Sequence, residues 1–195
     1  GTPDHLPCQV HGWMDYYLET YLGGCDQYGA YEHFPGMDWV IYDGPRFIYS
    51  PEALSQWQVT VRDLGPGIKQ EIIQTPEGIL SQTIERNEFT PWTTEYIIKD
   101  EHDFALWEKY VPVPVAVDWT NILQVKERIG DRGIVRGGFF GFGQGSPWQD
   151  FCTLFGTEKA IYAALDQPKW VHYVMETLLG KKLNVIRSAG KIELD

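Results

Sequence analysis

The chain has 195 residues, with 16 Lys and Arg against 27 Asp and Glu, for a formal net charge of -11. Its 43% hydrophobic and 22% charged content is globular, which excludes a disordered chain, and at roughly 100–200 residues per domain it reads as one domain. No apolar run approaches the ~18 residues of a membrane span, and the acidity excludes nucleic acid as a partner, because phosphate recognition needs a basic footprint.

Residues 7–11 read as a short strand, and residues 15–22 as a helix that carries Tyr16, Tyr17 and Tyr21 and ends at Gly23-Gly24. A second apolar run, residues 37–42, stops at Asp43-Gly44-Pro45. From 57 to 88 the pattern changes to period two. Val59 and Val61 alternate with polar neighbours, Gly65-Pro66-Gly67 turns the chain, and Thr75-Pro76-Glu77-Gly78 has the signature of a type I turn. That stretch predicts an antiparallel meander.

Farther on, Asp100 and Asp118 can each cap a helix, the first with Phe104 and Trp107, the second with Ile122 and Ile129 on one face. Residues 134–140 predict a strand that runs into Gly141-Phe142-Gly143-Gln144-Gly145-Ser146-Pro147-Trp148. Residues 150–155 and 157–165 predict short helices. A longer helix opens at Pro168, with Trp170, Val171, Val174, Met175, Leu178 and Leu179 as its stripe. Strands and helices at this spacing predict parallel βα units, with the runs at 7–11, 37–42 and 134–140 side by side.

Three cysteines, Cys8, Cys25 and Cys152, form no C-x-x-C pair, and an odd, sparse set does not build a secreted disulfide framework. No basic and apolar leader opens the sequence, so the expected location is cytoplasmic. Cys8 and His11, three apart on a strand, point to opposite faces and share a metal poorly. The glycines at 141, 143 and 145 follow a strand but fit neither the dinucleotide fingerprint nor a P-loop. They either line the mouth of an α/β site or make a structural turn. His11, at a strand end, is a candidate acid or base. Asp43 is either a site carboxylate or a turn residue. Phe140, Phe142 and Trp148 would give such a site an apolar wall, with Gln144 to orient a carboxylate or amide.

Several pieces in order, Pro3-Asp4-His5-Leu6-Pro7, Thr75-Pro76-Glu77-Gly78, Ile97-Ile98-Lys99-Asp100-Glu101-His102-Asp103-Phe104, Gly145-Ser146-Pro147-Trp148 and Asp166-Gln167-Pro168, resemble the uroporphyrinogen decarboxylase family, which includes corrinoid-dependent methyltransferases. The resemblance implies an α/β fold: the N-terminal part of a (β/α)8 TIM barrel, with the antiparallel meander inserted in it. Such barrels take about 250 residues, so the 195 residues would be an incomplete one, with Asp195 at a strand end midway round. It implies a site at the strand ends, with His11 and Asp43 as catalytic residues and Phe140, Phe142, Gln144, Ser146, Trp148 and Asp195 against the substrate. The reaction implied first is corrinoid-linked methyl transfer to a thiol, with zinc held by later residues and a corrinoid protein as partner. Decarboxylation of uroporphyrinogen is the alternative, and a non-catalytic domain binding a small ligand is the second. The decarboxylases' early arginines have no counterpart here, because residues 1–38 contain no Arg, and Phe151-Cys152-Thr153 stands where those enzymes carry a tyrosine. An octacarboxylate substrate is electrostatically disfavoured beside a charge of -11 without that clamp.

Overall fold

The computed structural model describes residues 5, 6, 8–137 and 145–189. The chain divides into two compact units, one holding the described residues of Gly1–Arg46 and Asp118–Phe139, the other those of Phe47–Val117 and Phe140–Asp195.

In the first unit, α1 (Asp15–Tyr21) and α2 (Gln27–His33) lead into β1 (Trp39–Tyr42), and α5 (Thr120–Ile129) leads through a single 3-10 turn into β8 (Gly133–Arg136). β1 and β8 pair in parallel, Trp39 opposite Gly133 and Tyr42 opposite Arg136. Two glycines make this pairing possible. A Cβ on Gly133 would overlap the Trp39 carbonyl oxygen, and one on Gly137 would overlap that of Asp43. Tyr31, Trp39, Ile41 and Ile129 form the buried core, with Trp13, Tyr28, Met37, Val125 and Val135 packed against it. Tyr31 stacks on Trp39 at 5.6 Å between ring centres, and its hydroxyl donates to the Val40 carbonyl at 3.3 Å. That bond satisfies the polar end of an otherwise buried ring. Asp26 caps α2 by accepting from Gly29 N at 2.8 Å.

The second unit is built on an antiparallel sheet, β3 (Gln58–Gly65), β4 (Ile68–Gln74), β5 (Ile79–Arg86) and β6 (Pro91–Glu95), in that order. Ile73 and Leu80, opposite each other in the ladder, turn one sheet face into the core. They join Phe104 and Trp107 of α4 (Glu101–Tyr110), Phe151, Leu154 and Phe155 of α6 (Pro147–Phe155), Ala160 of α7 (Thr157–Asp166) and Val171, Val174 and Leu178 of α8 (Pro168–Ser188). Asp100 caps α4 by accepting from Asp103 N at 2.9 Å. A short helix, α3 (Pro51–Ser55), precedes β3 and is capped by Ser50. β2 (Arg46–Ile48) and β7 (Ala116–Asp118) pair as a two-stranded sheet, and the division between the units falls within both strands.

The expected portion of an eight-stranded α/β barrel does not form. The strands divide among three separate sheets, the parallel pair β1 and β8, the pair β2 and β7, and the largest sheet, β3 to β6, which is antiparallel throughout. The chain spends the length between β1 and β8 on the meander and its helices. After β8, α6, α7 and α8 follow with no strand between them, so βα alternation is lost. The third parallel strand, expected at 7–11, is also missing: residues 8–11 form no ladder. Their backbone is tied instead to Asp38, whose N–H donates to Cys8 O at 2.8 Å while its carboxylate accepts from Cys8 N at 2.8 Å. The meander forms as β3, β4 and β5 and gains a fourth strand, β6, beyond residue 88.

Candidate functional site

The parallel pair fixes the candidate site of the first unit, because Tyr42 and Arg136 are register partners at the C-terminal end of β1 and β8. His11 reaches both. Its Nδ1 lies 3.4 Å from the Tyr42 hydroxyl and 3.4 Å from Arg136 Nη1, and the two rings meet edge to face at 5.9 Å. A guanidinium only donates, so Nδ1 is the acceptor and the imidazole proton sits on Nε2. Arg136 in turn lies over the Tyr42 ring, 5.5 Å from its centre. Gln27 of α2 holds the end of β1, donating to Tyr42 O at 3.1 Å and accepting from Tyr42 N at 3.0 Å.

Asp43 follows immediately and is half-buried. Its Oδ1 accepts from Gly44 N at 2.7 Å and from Asn121 Nδ2 at 3.1 Å, and Asn121 also donates to Gly44 O. Asp43 N donates to Arg136 O at 3.3 Å, extending the ladder by one rung. One carboxylate oxygen is therefore committed to the turn, and Oδ2 takes part in none of these bonds.

Beside Tyr42 opens a cleft of about 520 Å³, lined by Trp13, Asp15, Leu18 and Glu19 of the α1 region, by Cys25, Asp26, Gln27 and Tyr28 of the α2 region, by Gly12 and Gly24, and by Tyr42 itself. The volume is that of a small-molecule site. Three carboxylates stand round it, and no Lys, Arg or His is among the described residues that line it. The rings are partly engaged already: Trp13 stacks with Phe34 at 5.8 Å, and the Arg128 guanidinium covers one face of Tyr28 at 3.5 Å. The free charge in the cleft is thus carboxylate charge, and the rings add apolar wall. Nearby, Cys8 N–H, and after it the His5 ring, hold the Asp38 carboxyl below the ordinary aspartate range.

Ser146 and Trp148 belong to the second unit. Ser146 is the N-cap of α6, accepting from Gln149 N at 3.1 Å, and Trp148 packs against Phe151 at 5.7 Å. Ser146 therefore has a capping role that its neighbours Gly145 and Pro147 already announce. Phe140, Phe142, Gln144 and Asp195 lie outside the described residues. Sequence reasoning missed Tyr42, Arg136, Gln27 and Asn121 as site residues. For the first two, a signal existed: a polar side chain directly after a short apolar pair, Val40-Ile41 before Tyr42 and Ile134-Val135 before Arg136.

The three cysteines are free thiols, with Cys8 exposed and Cys25 and Cys152 half-buried. Burial raises the Cys152 thiol above its ordinary value, which makes it a poor nucleophile. Among the described residues no three His, Cys, Asp or Glu side chains are placed to share a metal ion, and no helix is long and apolar enough to cross a membrane. No protein-family model, curated protein or solved structure matches this chain.

Proposed function

We propose that this chain supplies the substrate-receiving part of an enzyme of the uroporphyrinogen decarboxylase family that carries out corrinoid-linked methyl transfer to a thiol, and that its cleft takes a small methylated ammonium compound. The observation that carries the charge preference is the lining: Asp15, Glu19 and Asp26 with Trp13, Tyr28 and Tyr42, and no basic side chain among the described lining residues. Carboxylates round a concave, partly apolar site concentrate negative potential and attract cations. Ring and Leu18 surface accommodates methyl groups that water solvates poorly.

The reaction class rests on the resemblance, supported by the position of His11, Tyr42, Asp43 and Arg136 where two parallel strands end, the rim at which α/β enzymes carry their chemistry. In this reading His11 offers its Nε2 proton or takes one, and Arg136 and Tyr42 fix which nitrogen does so. The corrinoid belongs to a partner protein. Zinc, when bound, would hold the acceptor thiol as a thiolate. Among the described residues no three His, Cys, Asp or Glu side chains stand together to hold that ion, so they do not fit a zinc site. The decarboxylase alternative is disfavoured because a polycarboxylate would meet the three cleft carboxylates head on.

Calorimetric titration of the chain at low salt separates the readings. Tetramethylammonium should bind, more weakly as salt rises and in the Asp15→Asn/Glu19→Gln variant, and the neutral isostere tert-butanol should not. Binding of a polycarboxylate porphyrin with no response to tetramethylammonium would replace this reading with the decarboxylase one.

A further inference from the structure

β3 is an edge strand. In the sheet order β3, β4, β5, β6 it pairs with β4 alone, so alternate residues turn an N–H and a C=O to a side where no described strand meets them. Its side chains are exposed as well. Val59 is the register partner of Ile73, and Ile73 of Leu80, so Val59 and, two residues on, Val61 share the sheet face that Ile73 and Leu80 turn into the core. The core closes over Ile73 and Leu80 and stops short of β3, leaving Val59 51% and Val61 54% exposed. We infer that a second copy of this chain occupies this edge, its β3 antiparallel to the first, so that two four-stranded sheets join into one of eight.

The strand's own sequence favours a copy of itself over another partner. A two-fold axis normal to the sheet keeps every side chain on its face, so the axis passes between two copies of one residue. With Thr60 opposite Thr60, Val59 of each copy meets Val61 of the other on the core face, and Gln58 meets Arg62 on the opposite face. Paired β-branched side chains and an amide against a guanidinium are favourable cross-strand neighbours. The adjacent registers are worse. Val61 opposite Val61 sets Val59 against Asp63, and Arg62 opposite Arg62 sets like charges together. Charge permits contact here: a chain of net charge -11 repels its copy, but β3 carries only Arg62 and Asp63, which cancel. The irregularity between Asp63 and Gly65 bends the strand, so the regular free edge runs from Gln58 to Asp63. So short an edge makes a small interface, and the dimer should dissociate in the range of about 1 to 100 µM.

Sedimentation velocity of the whole chain from about 1 to about 500 µM reads the assembly directly. The parent should pass from monomer to dimer as concentration rises. Val59→Lys/Val61→Lys sets lysine against lysine across the axis and should remain monomeric. Val59→Lys/Val61→Glu sets lysine against glutamate in the same places and should dimerise again. Leu183→Lys, at an exposed apolar position on α8, should dimerise as the parent does. All three positions are exposed, and melts check that the variants fold. Hydrogen exchange needs no variant: in the parent, β3 amides should exchange more slowly at high concentration than at low, while those of β6 at the other edge stay unchanged. A parent that is monomeric throughout, β3 exchange that ignores concentration, the same behaviour from the two double variants, or a dimer lost through Leu183→Lys overturns the proposal.

Discussion

Lys182 Nζ lies 2.6 Å from Asp150 Oδ2, and both side chains are sealed in the second unit, 3% and 0% exposed. One residue comes from α8 and the other from the first turn of α6, so the pair ties the two helices together at a place where water cannot help. Burial raises the Asp150 carboxyl above its ordinary value, and the ammonium beside it opposes that shift without reversing it. A buried pair of this kind contributes little net stability but is costly to break.

Removing one partner should therefore hurt more than removing both. Asp150→Asn and Lys182→Met should each destabilise the chain by about 3–5 kcal/mol, and Asp150→Leu/Lys182→Met should recover most of that loss. The sign of the pH effect follows from the raised carboxyl. Its contribution is full below the unfolded value and is lost as pH rises through the folded one. Denaturant melts of the three variants and a pH series on the parent measure both. Equal stability of all three variants would show that the pair is not sealed.

Gly137 fixes the exit of β8 because any side chain there meets the Asp43 carbonyl, and Gly133 fixes its entry against Trp39. Gly137→Ala and Gly133→Ala should each cost about 1–3 kcal/mol, the usual penalty of overpacking. Gly180→Ala on α8, where a Cβ meets nothing, should instead stabilise by about 0.5–1 kcal/mol. Thermal melts read the contrast directly.

Asp118 offers a pH probe of the first unit. Its carboxylate accepts from Thr120 Oγ1 at 2.6 Å and Thr120 N at 3.0 Å, and pairs with Arg46 at 2.7 Å. These bonds, those from Thr120 above all, lower its pKa to about 2. A depressed carboxyl contributes stability above its unfolded value, which is lost as pH falls through the folded one, so the window runs from about pH 4 down to about 2. A carboxyl NMR titration should show Asp118 titrating at about 2, and Thr120→Val should return it towards the ordinary aspartate range.

Asp43 gives a further contrast. Its Oδ1 closes the turn after β1, and an amide oxygen can do the same. Asp43→Asn should melt within about 0.5 kcal/mol of the parent, and Asp43→Ala should lose about 1–2 kcal/mol for the turn bonds. If only the carboxylate matters, through Oδ2, turnover would fall in both variants although only one is destabilised.

The elements legible in the sequence were those set by local chemistry. The period-two run from Val59 onward, the Thr75-Pro76-Glu77-Gly78 turn, the Asp100 cap and the stripe of α8 each follow from neighbours within a few residues. β6 was not legible, because Pro91 begins it and it lies at the sheet edge, where pattern is weakest. α2 and α3 are short and depend on single caps, Asp26 and Ser50. The strand expected at 7–11 looked right by composition, but a strand exists only with a ladder partner, and Asp38 supplies one backbone and one side-chain bond to Cys8 in place of one. His11 was visible as a residue after an apolar run. Its partners were not, since Tyr42 and Arg136 lie far apart in sequence and meet only through the parallel pairing of β1 and β8. Ser146 caps α6, a local role made legible by its place between Gly145 and Pro147.

The central claim is that the first-unit cleft receives a methylated ammonium group, and the most direct measurement is NMR of the chain with selectively labelled tryptophan and tyrosine during titration with tetramethylammonium. Trp13, whose side chain lines the cleft, carries a buried indole N–H that donates to no acceptor among the described residues, so its signal is sensitive to a ligand placed beside it. The account predicts saturable shifts at Trp13, Tyr28 and Tyr42, suppressed by salt and absent with tert-butanol, while Trp107 and Trp170 of the second unit stay still. Shifts at the second-unit tryptophans alone, or equal responses to the ammonium and its neutral isostere, would contradict it.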